Sequence, residues 1–402
     1  MEKGATLSSL TELSAVDNVV IYISDSLRFD AVPQRVSDTG IFAKAVAPST
    51  YTGSSVPSLM TGVYPAQHRI WGFDNQLSST PGLLDRKNSA YDVNDIWDWP
   101  LEMLGIDDRP TFEELKKERR LADLNEPFVY VLHDKGGHLP YGYHPTEFES
   151  IKEYLREFND PDELRNLYHS SVEKSVDMFN EIVETLKDRN IYQNTLVIFT
   201  SDHGELLGEY GGRWGHGSPM VPELVEVPIL FCGAGLPTDE SVDTLISGTD
   251  IVPTSLSALG ENKPVATDGC DLWSSWPEER AIRSDVWLGS SSGRLGAQYV
   301  ATSAWDRGGG YVFHRKPLRS FLKTVGSQYL GATAPVSRTY SLGGLLSTMR
   351  PLIQSPFKYK QPNMSVSDVE EIIPNMFETG QYDPEQRAEP DKEQLRKLGY
   401  LS

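Results

Sequence analysis

The chain has 402 residues, with 57 Asp and Glu against 37 Lys and Arg, a net charge of −20 and two cysteines. That excess of negative charge repels polyanions and argues against nucleic acid or an anionic membrane as the main partner. It suits a high-salt cytoplasm, and ordinary acidic proteins share it. Cys232 and Cys270 make no disulfide framework. No apolar run approaches the ~20 residues of a membrane span, and Met1–Asp17 lacks the apolar centre of a signal peptide. A soluble, cytoplasmic protein of one or two domains is expected.

Residues 1–16 form a polar lead-in. Asn18–Ile23 is a short apolar, β-branched run, the pattern of a strand buried on both faces. It stops at Ser24-Asp25-Ser26-Leu27-Arg28-Phe29-Asp30. Next, small hydroxyl residues (Ser49, Thr50, Thr52, Ser54, Ser55) precede Val56-Pro57, and a helix is expected to start near Gly53–Pro57. A hydroxyl there faces a helix N-terminus, which favours an anion. Residues 71–126 read as an insertion, with Tyr91, Trp97 and Trp99 among acids and a charged helix over Thr111–Leu124. Pro127–Leu132 is a second buried strand, ending at His133-Asp134-Lys135 with His138 and His144 beyond. Over residues 163–188, Val172, Val176, Phe179, Val183 and Leu186 recur at helical spacing.

Leu196–Phe199 is a third buried strand. It runs into Asp202-His203-Gly204-Glu205, and a glycine-rich loop carries His216. Glu226–Phe231 is a further strand and Thr249–Leu259 a helix. From about residue 279 the pattern changes to Gly/Ser turns between short apolar runs, the mark of antiparallel strands in a smaller C-terminal α+β subdomain, 279–402. The strands of Gly289–Gly310 are expected to border the pocket. A short helix over Asp391–Leu401 would pack through Leu395 and Leu398.

Strands alternating with helices predict an α/β main domain, 17–278, with a mostly parallel sheet. In such a sheet the carboxyl ends of the strands converge on one edge. Asp25, Thr52, Asp134, His138, Asp202, His203 and His216 all sit at such ends or at a helix start. Singly, each is explained by a cap or a polar turn. Together, carboxylate and imidazole without thiolate suit zinc or manganese, with magnesium or calcium possible where carboxylates dominate. Seven donors exceed the needs of one tetrahedral ion and fit two ions about 4 Å apart. The chemistry that uses them is in-line attack by a Thr52 hydroxyl on a phosphate or sulfate ester, through a covalent Thr52 ester. Arg28, Lys135 and Arg213 are the basic candidates for the anionic oxygens.

These residues resemble the sulfatase branch of the alkaline phosphatase superfamily. The likeness runs from about Asn18 to Leu401. It is carried by FTSDHGELLGEYGGRWGHG with PELVEVPI after it, by DSLRFD at Asp25, by TDIVPTSLSALG and by the closing LRKLGYLS. The resemblance implies an alkaline-phosphatase-like three-layer sandwich. Thr52 aligns with the nucleophile twice over, counting back from Gly62 as in the sulfatases and from Pro57 as in lipid A phosphoethanolamine transferases. Ser55 is the runner-up, because Ser-x-Pro-Ser mimics the sulfatase signature. His133 and His138 match a His-x4-His-x-Pro pattern, and Asp134 to His138 has the spacing of two-metal phosphodiesterases.

The resemblance implies one ion on Asp25, Thr52, Asp202 and His203. Asp134, His138 and His216 would hold another, with His138 or His216 alternatively touching substrate. The departures are specific. Thr52 cannot be converted to formylglycine, Val56 stands where the signature has Arg, Ser26 replaces the second Asp, and His203 replaces an Asn-type ligand. They point to a metal-dependent hydrolase of phosphate mono- or diesters, on a small-molecule or glycan-linked substrate. Sulfate ester hydrolysis and soluble transfer of a phospho-headgroup are the alternatives, and a non-catalytic binding protein ranks below them.

Overall fold

The computed structural model describes residues 6–73, 75–94, 101, 103–106, 120–144, 147–261, 266–289, 298–315, 317–337, 350–352, 354–373 and 385–386. Its main sheet has seven strands: β1 (Asn18–Ser24), β2 (Ile41–Val46), β3 (Ser89–Asn94), β4 (Val129–Asp134), β5 (Thr195–Thr200), β6 (Glu226–Gly233) and β7 (Glu240–Ser247). Their order across the sheet is β7-β2-β6-β5-β1-β4-β3. Every residue of β1, β4 and β5 is buried, as a strand without a polar face must be. All pairings are parallel except those of β6, which runs antiparallel to both β5 and β2.

Alternate β1 residues point to opposite sides. Val19, Ile21 and Ile23 join one apolar cluster, with Val56, Leu59 and Met60 of helix α1 (Thr52–Thr61). Val20 and Tyr22 join the other, with helix α2 (Pro161–Asp188). Two helical layers on one sheet make the expected sandwich. Asp160 caps α2 by accepting from the amides of Asp162 and Glu163, and Pro161 holds the first helical position. Its buried stripe is Leu164, Tyr168, Val172, Val176, Phe179, Ile182 and Leu186, so Ile182 takes the place expected of Val183. Helix α3 (Ile251–Ala258) follows a short 3-10 turn and packs against α1.

The strand register sets the site. Ile23 lies beside His133 on one neighbour and Thr200 on the other. The residues just beyond these points, Asp25, Asp134 and Asp202, therefore leave the sheet at the same edge.

Residues 71–126 are not wholly an insertion, because β3 within them is the edge strand of the main sheet. Its one buried acid, Asp92, accepts a hydrogen bond from the Tyr130 hydroxyl at 2.9 Å. Trp97, Trp99 and most of the Thr111–Leu124 segment lie outside the described residues, and Arg120–Ala122 is a 3-10 turn. The C-terminal part forms a second, antiparallel sheet of β8 (Ile282–Leu288), β9 (Tyr299–Asp306), β10 (Gly309–His314) and β11 (Phe357–Lys360), with helix α4 (Pro317–Leu330). It is tied to the main domain by the Asp285 amide on the Pro48 carbonyl, 2.9 Å, and the Met220 amide on the Tyr299 hydroxyl, 2.6 Å. The expected helix over Asp391–Leu401 lies outside the described residues.

Phe179 packs against Tyr22 and Phe199 with ring centroids 5.5 and 4.9 Å away, and all three are fully buried. Phe179→Ala should cost about 3–5 kcal/mol. In urea the midpoint should fall with the slope unchanged, and a loss below 1 kcal/mol would mean that α2 is not the cover of this face.

Candidate functional site

The carboxyl ends of β1, β4 and β5 and the first turn of α1 meet in one buried cluster. Helix α1 is buried along its whole length, and no side chain caps its N-terminus after Tyr51. Thr52, its first residue, therefore sits where backbone amides favour an anion. The Thr52 hydroxyl lies 2.8 Å from Nε2 of His203. Asp25, Asp202 and His203 each place a ligand-type atom within 4.8 Å of the others. Nε2 of His203 is 3.4 Å from Asp202 Oδ2 and 3.8 Å from Asp25 Oδ1, and Nε2 of His133 is 3.5 Å from Asp25 Oδ2.

The imidazoles are oriented from behind, through Nδ1. His203 Nδ1–H donates to the Gly204 carbonyl at 2.8 Å and His138 Nδ1–H to the Leu139 carbonyl at 2.5 Å. His216 Nδ1–H donates to Glu205 Oε2 at 3.0 Å, and Tyr141 donates to Oε1 of the same carboxylate at 2.8 Å. His133 Nδ1 pairs with the Tyr91 hydroxyl at 3.1 Å. An Nδ1–H fixed on an oxygen leaves the lone pair on Nε2, the tautomer that a metal or a proton needs. The rings of His203 and His216 lie 4.3 Å apart, and those of His138 and His216 4.9 Å.

The electrostatics follow from burial. Burial pushes the Asp202 carboxyl up, and the neighbouring Asp25 charge adds to it. Burial would raise Asp25 as well, but the fields of His138, His133 and His203 outweigh it and hold that carboxyl well below the usual range. Burial lowers His138 to about 4 and His216 to about 3, whereas Asp202 and Asp25 override burial at His203 and raise it. Burial raises Glu205 to about 7.

The donor set fits a divalent cation. Asp202 Oδ1 accepts from the amides of Ser26 and His203 at 3.3 and 2.9 Å, but Asp202 Oδ2 and His133 Nε2 are buried without a hydrogen-bond partner. An orphaned carboxylate oxygen beside a second carboxylate is the environment that a cation satisfies.

Other sequence candidates stand elsewhere. Asp134 turns into its own loop, its oxygens accepting from the Asn94 amide at 2.7 Å and the Gly136 N–H at 2.9 Å, while His133 points at Asp25 instead. Gly136 has φ +52°, and a Cβ there would lie 2.5 Å from the Asp25 carbonyl, so the loop can close on β1 only with glycine. The Ser55 hydroxyl is held on the Asp202 carbonyl at 2.6 Å, which ties it to backbone. Arg28 pairs with Asp30 and Glu209, and Arg213 donates to the carbonyls of Thr324 and Ser218, so both guanidinium groups brace loops. Lys135 donates to the Pro140 carbonyl at 2.6 Å within the His138 loop. Sequence reasoning left His133, Glu205, Tyr91 and Tyr141 out of the site. His133 carried a signal in the His-x4-His-x-Pro pattern and Glu205 as the acid of the Ser-Asp-His-Gly-Glu run, whereas the two tyrosines carried none.

The family model described as Sulfatase matches residues 17–261. The chain belongs to the sulfatase family. Among its sulfatase-family relatives, the low-salt glycan biosynthesis sulfotransferase Agl7 of Haloferax volcanii is 38% identical over 412 residues, covering 98% of this chain and 99% of that protein. Arylsulfatase K of Canis lupus familiaris is 33% identical over 109 residues, 27% of this chain and 20% of that enzyme. The fold is shared with the phosphonate monoester hydrolase of Silicibacter pomeroyi (TM-score 0.51, 16% identity, 88% of this chain and 100% of that one). It is also shared with a putative sulfatase from Bacteroides thetaiotaomicron (TM-score 0.54, 14% identity, 75% of this chain and 83% of that one). Among the described residues no helix is long and apolar enough to cross a membrane.

Removing the Asp202 charge separates its cost from its use. Asp202→Asn keeps the Oδ1 acceptor and ends the repulsion with Asp25. Stripped of metal by chelation, the variant should melt at or above wild type. Its stabilisation by added zinc or manganese should nearly vanish. Equal metal stabilisation in both proteins would remove Asp202 from the ligand set.

Proposed function

We propose that this sulfatase-family protein is a group-transfer enzyme, moving a sulfuryl group from an ester donor to Thr52 and then to a glycan hydroxyl. The observation that carries the reading is Thr52 itself, a buried hydroxyl 2.8 Å from His203 Nε2, at an uncapped helix N-terminus beside Asp25 and Asp202. The full-length likeness to a glycan biosynthesis sulfotransferase supports the direction of transfer.

Asp25, Thr52, Asp202 and His203 would hold the cation, with His133, His138 and His216 as the remaining imidazole donors. When bound, a zinc or manganese ion would lower the hydroxyl pKa and offset the charge of the ester oxygens. The Thr52 oxygen attacks sulfur in line as the donor's ester S–O bond breaks. The departing oxygen keeps the electron pair and takes up the proton that Thr52 gave up, passed through His138 or His216. In the second half the acceptor hydroxyl attacks the same sulfur, the Thr52 Oγ–S bond breaks, and Thr52 regains a proton. The α1 amides hold the anionic oxygens.

Thr52 also removes one route of release and leaves the enzyme ester to attack at sulfur, by an acceptor hydroxyl or by water. A formylglycine hydrate carries a second hydroxyl that expels sulfate. A threonine ester has none and persists until an outside nucleophile attacks. Hydrolysis of phosphate mono- or diesters is the second reading, favoured by the imidazole of His203 beside the nucleophile.

Paired aryl sulfate and aryl phosphate donors, with and without a glycan acceptor, test the reading. Aryl sulfate consumption should depend on the acceptor and leave little free sulfate. Thr52→Ala should lower turnover on the order of a thousandfold or more with an unchanged melting temperature, and Ser55→Ala should retain most of it. Acceptor-independent release of phosphate would establish the hydrolase instead, and an active Thr52→Ala would end the nucleophile assignment.

A further inference from the structure

The negative charge of this chain is not spread evenly. Residues 307–367 contain nine Lys and Arg and no Asp or Glu, in a protein of net charge −20. Within that stretch lies α4. Its inner face is Ser320, Thr324 and Gln328, all buried at four-residue spacing. Its outer face carries Leu318, Leu322 and Leu330, 72%, 51% and 72% exposed, although among the described residues large apolar side chains are otherwise covered almost throughout. Arg319 is exposed beside them and Lys323 half-buried. Leucines and cations sharing the outer side of one helix make the profile of a helix that lies in a membrane interface.

We infer that α4 docks this enzyme peripherally on an anionic lipid bilayer, leucines in the headgroup boundary and Arg319 and Lys323 on lipid phosphates. Charge complementarity selects the bilayer over a second copy, because a symmetric contact would set the cations of one helix against those of the other. The rest of the molecule is strongly acidic and repelled by such a surface, so only this face can approach it, in one orientation. The whole-chain charge thus misdescribes the local surface. Docking would also fix the catalytic loop, since the inner side of α4 holds the glycine-rich segment that leads to His216. Gln328 donates to the Gly211 carbonyl at 2.9 Å and Arg213 to the Thr324 carbonyl at 3.1 Å.

Flotation of the full-length protein with phosphatidylcholine vesicles, with and without phosphatidylglycerol, tests the inference. Wild type should float with the anionic vesicles and stay behind with the neutral ones. Leu318→Ser/Leu322→Ser and Arg319→Glu/Lys323→Glu should each weaken binding on the order of tenfold or more. Both should keep the melting temperature and the turnover of a soluble aryl ester. Absence of wild-type protein from the anionic vesicles, or undiminished binding by both variants, would overturn it. So would a concentration-dependent dimer that the leucine variant dissolves, or an acidic protein that binds the face while vesicles do not.

Discussion

Two carboxylates buried side by side, Asp25 and Asp202, constrain everything around them. Like charges 4 Å apart repel by about 4 kcal/mol at an effective dielectric of 20, before any cost of leaving water is counted. The structure answers from several elements at once. Amides of Ser26 and His203 reach Asp202, the Ser26 hydroxyl reaches Asp25 at 3.0 Å, and the imidazoles of His133 and His203 face both acids. The two acids respond oppositely: at Asp202 burial and the Asp25 charge push the carboxyl up, while at Asp25 the fields of His138, His133 and His203 outweigh burial and hold it low. One Asp202 oxygen still lacks a hydrogen-bond partner. Asp25, Asp202 and His203 thus form a candidate cation site.

The second constraint is orientation. Each imidazole is aimed by a bond to its far nitrogen, from the carbonyls of Gly204 and Leu139, the Glu205 carboxylate or the Tyr91 phenol. Glu205 is held in turn by Tyr141. Positioning groups of this kind set ring angle and tautomer and so decide which atom meets the substrate. In sequence they are a polar acid and two tyrosines among many.

What could be read from the sequence follows this division. The apolar runs ending at Ser24, His133 and Thr200 announced buried parallel strands, and the ligand types just beyond them announced a shared edge, because both signals are local. The reversal of β6 was hidden, since a strand buried on both faces looks alike in either direction. β2 escaped because Lys44 interrupts its apolar character, and β7 because half its residues face solvent. Asp134 shows the limit of spacing. It sits at a strand end like Asp25, but adjacent residues of a strand point to opposite sides, so only one of His133 and Asp134 can face the site. Two counts along the sequence rank Thr52 above Ser55, and the structure adds that the Ser55 hydroxyl is held on the Asp202 carbonyl.

The antiparallel sheet bears on the order in which the molecule comes to exist. Its strand β8 receives the Pro48 carbonyl through the Asp285 amide, four residues from the Thr52 hydroxyl. Its strand β9 holds Met220 through Tyr299, just past His216. A ribosome makes Thr52 before these braces, while domains tend to fold as they emerge. The strands that carry Asp25, Asp134 and Asp202 at their ends can therefore pair while the Thr52 loop still lacks its outer wall. The loop that carries Thr52 gains that wall only once the strands of the second sheet have been made.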